Sequence, residues 1–205
     1  MYVGVTAPEA AAFKVTPMDE NPDPLGVVPI EGRGSLPFAL VHGESLVAAA
    51  SWALTAAGAR LFDYDVGFAA LQESGAPLVI HDPLCPLTPS SFISEAIADS
   101  ARTGAVVVGV RPVTDTVKEY DAEPDGSGRL GGTVDRDELV CVTSPVVLPA
   151  AVVAALDELT TDDLAALVAQ LTQRFPVRHL PAPPLGRRVA EESDLEVLAA
   201  LSGDD

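Results

Sequence analysis

The chain has 205 residues, enough for one domain of ordinary size, and 48% of them are hydrophobic, enough for a large core. The formal net charge is −18 and Lys occurs only twice, which argues against nucleic-acid binding, because phosphate contacts need clustered Lys and Arg. No apolar run approaches the ~20 residues that span a bilayer, and no basic stretch precedes an apolar core at the N-terminus, so a cytoplasmic protein with no membrane partner is expected.

Residues 1–24 read as an irregular N-terminal segment interrupted by Pro8, Pro17, Pro22 and Pro24, with weak strand signals at Met1–Val5 and Phe13–Val15. Residues 25–205 read as a single α/β domain. Leu25–Ile30 is a short apolar strand that runs into a turn at Gly32 and Gly34. Glu44-Ser45 opens a helix through Ala57, with Leu46, Ala50, Ala53 and Leu54 at helical spacing and Gly58 as its stop. Residues 59–76 carry no clear period. Pro77–His81 is a compact apolar strand ending at His81-Asp82. Ser90 or Ser91 is expected to cap a helix to about Thr103, closed by Gly104.

Ala105–Val110 is wholly apolar, as in a strand buried on both faces. Residues 115–136 form an extended hairpin, because Asp125-Gly126-Ser127-Gly128 suits a turn with positive φ. Leu139–Val142 reads as another buried strand, with Cys141 as a small core residue. Cys85 lies in a loop between prolines, and two cysteines make neither a disulfide framework nor a zinc site. Helices follow at about 149–158 and 162–173, a strand at Val177–Leu180, and an amphipathic helix at about 191–201. Strands alternating with helices indicate an α/β sandwich with a mainly parallel sheet, whose ligands bind beyond the carboxyl ends of the strands.

Several motifs carry chemistry. Asp82, in His81-Asp82-Pro83-Leu84-Cys85-Pro86, stands at a strand's C-terminal edge, where a carboxylate suits Mg²⁺; the competing reading makes it a turn cap beside a locally packed His81. Thr114-Asp115-Thr116-Val117-Lys118 opens the hairpin, Asp135-Arg136 closes it, and Ser144-Pro145 follows on the next strand. Leu185-Gly186-Arg187-Arg188-Val189 precedes the last helix. Thr160-Thr161-Asp162-Asp163 reads as a helix N-cap with favourable dipole charges.

The order of these motifs resembles the 2-C-methyl-D-erythritol 4-phosphate cytidylyltransferase family, over roughly residues 26–58 and 77–200. The resemblance implies a three-layer α/β/α nucleotidyltransferase (Rossmann-like) fold with a mixed, mainly parallel sheet and a protruding β-hairpin arm at 115–136. It implies CTP and a sugar phosphate as ligands and Mg²⁺ as cofactor, with Arg33 and Asp82 as catalytic positions and Asp82 as the metal ligand. Gly32 and Gly34 fall in the nucleotide loop. Thr116, Lys118, Arg136, Ser144 and Arg188 fall at substrate positions, and the arm implies a homodimer in which Thr116 and Arg136 act in the partner's site.

The departures lie at the nucleotide end. The family's Ala-Ala-Gly-x-Gly-x-Arg loop is shortened to Pro29-Ile30-Glu31-Gly32-Arg33-Gly34, with Glu31 where phosphates would lie. Phe38 stands at the catalytic Lys position and Cys85 at an Arg position. The stretch from Gly58 to Pro77 is too short for the family's second and third strand–helix units, and the Gly-Gly-x-x-Arg-x-x-Ser-Val motif is absent. Two readings follow: a cytidylyltransferase with weakened or lost activity, or a non-catalytic dimeric binding or regulatory relative. A nucleotidyltransferase with altered specificity is a narrower third.

Overall fold

The computed structural model of the protein describes residues 22–62 and 67–203. The weak strand signals at Met1–Val5 and Phe13–Val15 lie outside the described residues. The elements run β1 (Leu25–Val27), β2 (Leu40–Val41), β3 (Glu44–Ser45), α1 (Leu46–Ala56), β4 (Arg60–Leu61), α2 (Phe68–Glu73), β5 (Leu78–Ile80) and α3 (Ser90–Thr103). They continue with β6 (Val106–Pro112), β7 (Val117–Ala122), β8 (Gly128–Val134), β9 (Val140–Leu148), α4 (Ala150–Ala155), α5 (Leu164–Arg174), β10 (Val177–Pro181) and α6 (Ser193–Ser202).

One sheet carries the fold, in the order β10-β6-β9-β5-β1-β4. β4, β1 and β5 pair in parallel, as do β6 and β10, while β9 runs antiparallel between β5 and β6. The period-two alternation of side chains assigns each face its own core. Ile80, Val108, Val146 and Leu148 point to one side, against Leu71, Val153, Leu167 and Leu171 of α2, α4 and α5. Val79, Val107 and Val147 point to the other, against Leu54 of α1 and Ile93 and Ala96 of α3. Both faces being covered explains why Val106–Val110 is apolar throughout, and the result is the expected three-layer sandwich with a mixed, mainly parallel sheet.

The arm is a separate two-stranded sheet of β7 and β8. Its turn closes through the Glu123 N–H to the Ser127 carbonyl, with Gly126 at φ 85° and Asp125 accepting from the Ser127 N–H. Only the short β4 and α2 occupy the described part of 59–76, consistent with the missing strand–helix units.

Three expectations need correction. The helix at 90–103 is capped by neither serine: Pro89 holds the cap position, and its carbonyl receives the Phe92 and Ile93 N–H groups. Cys141 is exposed, not a core residue. The strand at 139–142 is likewise not buried there: residues 140 and 141 pair with Pro112 and Arg111, past the covered stretch of β6, and burial starts at Thr143.

β6 and β9 lie close together at Gly109, where the register shifts between Val108 and Val110. A Cβ there would lie 2.5 Å from the Ser144 carbonyl oxygen, a backbone atom at the centre of the sheet. Gly109→Ala should therefore cost about 1–3 kcal/mol or more through overpacking, read as a lower urea midpoint at unchanged m-value; an unchanged midpoint would show that β9 can move aside.

Candidate functional site

The carboxyl ends of β1 and β5 and the entry of β9 meet at one edge of the sheet, and the site is built there on Asp82. The chain leaves β5 through His81, whose N–H bonds the Val27 carbonyl. Asp82 follows, buried to 2% exposure, with its own N–H donated to the Ser144 hydroxyl (2.7 Å). Its Oδ1 accepts from Arg33 Nε (2.8 Å) and from the Leu84 N–H (3.0 Å), and its Oδ2 accepts from Arg188 Nε (3.1 Å). Arg188 is brought alongside by the Val189 N–H, which bonds the Leu84 carbonyl (2.7 Å).

Arg33 is held on three sides. Besides Asp82, it donates to the Glu31 carbonyl (2.6 Å) and the Thr161 carbonyl (3.0 Å), and its side chain is 1% exposed. It ties the β1 loop, the end of β5 and the loop before α5 into one body. Gly32, at φ 73°, makes this possible, since a Cβ there would lie 3.0–3.2 Å from the Asp162 Cβ and carbonyl oxygen. Arg188, by contrast, keeps 43% of its side chain exposed. The two arginines, Asp82, Gly32, Val142 and residues 162–165 line a cleft of about 530 Å³.

Ser144 is fully buried, its hydroxyl spent on the Asp82 N–H and on His81 Nδ1 (2.7 Å). Burial pushes the His81 imidazole down to about 4, with the nearby Asp82 carboxylate opposing that shift. Cys85 is also buried, and burial first, then the Asp82 charge, push its thiol up, so it stays protonated. It lies beneath the site rather than in it.

The positions that the resemblance gives to the nucleotide carry little charge among the described residues. A second pocket, of about 420 Å³, opens beyond β1, lined by Val27–Glu31, Leu61, Phe62 and Thr161 among others, and among the described residues Glu31 is its one ionisable side chain. Phe38 ends a single 3₁₀ turn (Leu36–Phe38), points outward at 58% exposure, and lines neither cavity. Gly34, at φ 58°, shapes the turn but lines neither.

The arm residues form their own group. Thr116 and Arg136 share a concavity of about 400 Å³ at the arm's base, away from Asp82. Arg136 is fixed by donating to the Thr114 carbonyl (2.7 Å), and Lys118 reaches across the hairpin to the Thr133 hydroxyl. Within one chain, then, Asp82, Arg33, Arg188 and Gly32 come together, whereas Thr116, Lys118 and Arg136 stand apart.

The donors at Asp82 do not fit a divalent ion as they stand. Both oxygens are already bonded, two of the three donors are cationic, and among the described residues no group of three or more His, Cys, Asp or Glu side chains is placed to hold a metal. The Thr161 contribution is not legible in the sequence, because that residue acts through its backbone carbonyl. Asp163 does cap α5, accepting from the Ala165 and Ala166 N–H groups, in line with the helix-start motif.

The family model of 2-C-methyl-D-erythritol 4-phosphate cytidylyltransferase matches residues 42–193. The chain belongs to this family. The enzyme of that name from Rhodococcus opacus is 32% identical over 136 residues, 64% of this chain and 57% of the relative. That from Rhodococcus jostii is 29% identical over 170 residues, 81% of this chain and 72% of the relative. The matched stretch thus spans little more than half of the first relative. The crystal structure of the Thermus thermophilus cytidylyltransferase superposes with a TM-score of 0.60 at 20% identity, covering 89% of this chain and 99% of that one, which shows the shared fold. The family match begins at His42, so Gly32, Arg33 and Phe38 lie before it, while Asp82, the arm and Arg188 lie within it. Among the described residues no helix is long and apolar enough to cross a membrane.

His81 makes stability pH-dependent. Its folded pKa lies below the unfolded value of 6.5, so the unfolded chain binds more protons between pH 6.5 and about 4, and stability falls as pH drops through that window. The loss attributable to His81 is about 3 kcal/mol. His81→Gln should flatten the curve of unfolding free energy against pH there; a variant curve parallel to wild type would show that His81 does not titrate this way.

Proposed function

We propose that this chain is a homodimeric sugar-phosphate-binding member of the cytidylyltransferase family whose transfer of a cytidylyl group from CTP is greatly weakened or lost. The observation that carries this reading is the commitment of Arg33. In cytidylyl transfer the sugar phosphate attacks the α-phosphorus of CTP and pyrophosphate leaves, so negative charge grows on the phosphoryl oxygens and needs cations aimed at it. Arg33 commits three of its five N–H donors to Asp82, Glu31 and Thr161, and its side chain is only 1% exposed. Phe38 offers no donor, and Glu31 adds negative charge to the neighbouring pocket. Loss of one preorganised donor costs on the order of 10²–10³ in rate, and here two positions are affected.

The sugar-phosphate side keeps more. Arg188 bonds Asp82 through Nε alone, so its terminal nitrogens stay open to a phosphate. Thr116 and Arg136 share one concavity, as they would to grip the same ligand from an arm. Tyr120 and Leu130 pair across the arm at 55% and 70% exposure, an apolar surface that a second copy would cover. Asp82 acts here as the positioning residue for Arg188. The intact-enzyme reading is favoured by the extent of the family match and predicts a different result in the same assay.

With CTP and methylerythritol phosphate, pyrophosphate release should run below about 10⁻² s⁻¹, about 10²-fold under the slow end of the 1–10³ s⁻¹ usual for enzymes. Multiple turnovers within that range would contradict the reading. In calorimetric titration methylerythritol phosphate should still bind, and Arg188→Ala should weaken it about 10–100-fold, as loss of a charge-assisted hydrogen bond does. Unchanged affinity would remove Arg188 from the site.

A further inference from the structure

We infer that this chain carries its own cation at Asp82: the Arg33 guanidinium holds the place that the family resemblance gives to a divalent metal, and the cleft takes a ligand with a single phosphate without any metal. The inference deepens the sugar-phosphate reading above and rests on it for the ligand half.

Each carboxylate oxygen has two lone pairs. Asp82 Oδ1 gives both away, to Arg33 Nε and to the Leu84 N–H. A Mg²⁺ ion demands about 2.0–2.1 Å and near-octahedral geometry, so it would have to expel Arg33 from this oxygen. Arg33 is also tied to the Glu31 and Thr161 carbonyls and sealed from solvent, so expelling it would open the β1 loop. Oδ2 has a lone pair left, but there a dication would sit beside the Arg188 guanidinium. The other carboxylates on the cleft are Asp162 and Asp163, and Asp163 already caps α5 through Oδ1.

The fixed guanidinium does the electrostatic part of a metal's work. It neutralises Asp82 and leaves the exposed half of Arg188 to face a ligand. It supplies no open coordination position, so it cannot chelate the oxygens of neighbouring phosphates as a metal does. The acidic rim at Asp162 and Asp163 disfavours an extended polyphosphate that brings no metal of its own. Both features select a single phosphate.

The three histidines provide the test. His81 adjoins Asp82, while His42 and His179 lie elsewhere and serve as references. With histidine-labelled protein, equimolar Mn²⁺ should broaden the His81 imidazole resonances no more than those of His42 and His179, with or without methylerythritol phosphate. Selective broadening of His81 that Asp82→Asn removes would overturn the inference. In parallel, the affinity for methylerythritol phosphate should agree within about twofold between Mg²⁺ and EDTA. A tenfold or greater loss in EDTA would overturn it as well. Absence of binding in both conditions would overturn the ligand half and the proposed function, while the His81 signals would still decide the metal.

Discussion

The structure of this site depends on one carboxylate held between two guanidinium groups. Asp82 is almost wholly buried, and a buried charge is tolerable only when it is paired and hydrogen-bonded. Arg33 and Arg188 supply the pairing, and the Leu84 N–H completes it. Three loops far apart in sequence are thereby held in one arrangement. The same bonds decide what each cation can do: Arg33 is consumed inside the protein, and Arg188 is half presented to the cleft. Arg33 thus serves as part of the scaffold.

The consequence is an uneven site. On the side of Arg188 there are terminal guanidinium nitrogens without a partner among the described residues. On the side of β1 there is an apolar pocket with Glu31 and a phenylalanine turned to solvent. The high acidity of the whole chain does not by itself prevent phosphate binding, because a local cation in a concave site can outweigh a distant, solvent-screened surface charge. Among the described residues, the pocket beyond β1 is lined by no cationic side chain.

Much of this was legible in the sequence. The apolar runs at 77–81 and 105–110 and the Gly-rich turn at 125–128 gave the sheet and the arm, because both-face burial and positive φ leave strong composition signals. Phe38 and Cys85 stood out as departures from the family's motifs, since neither side chain can stand in for Lys or Arg. The fate of Arg33 was not legible, because two of its three partners are backbone carbonyls that any residue provides. The same holds for the helix cap at Pro89, where a carbonyl does the work that a serine side chain was expected to do. Cys141 was misplaced because an apolar pattern in a strand does not reveal where the covering helices end.

Arg33 and Asp82 act on each other as a buried structural pair. A double-mutant cycle on urea unfolding, using Arg33→Met, Asp82→Asn and the combined variant, measures this most directly. Each single change should cost about 3–5 kcal/mol, because each strands a buried partner. The double change should cost clearly less than the sum, with a coupling of about 2 kcal/mol or more. Single effects that add to within about 0.5 kcal/mol would contradict it and would return Arg33 to the pool of cations free to meet a ligand.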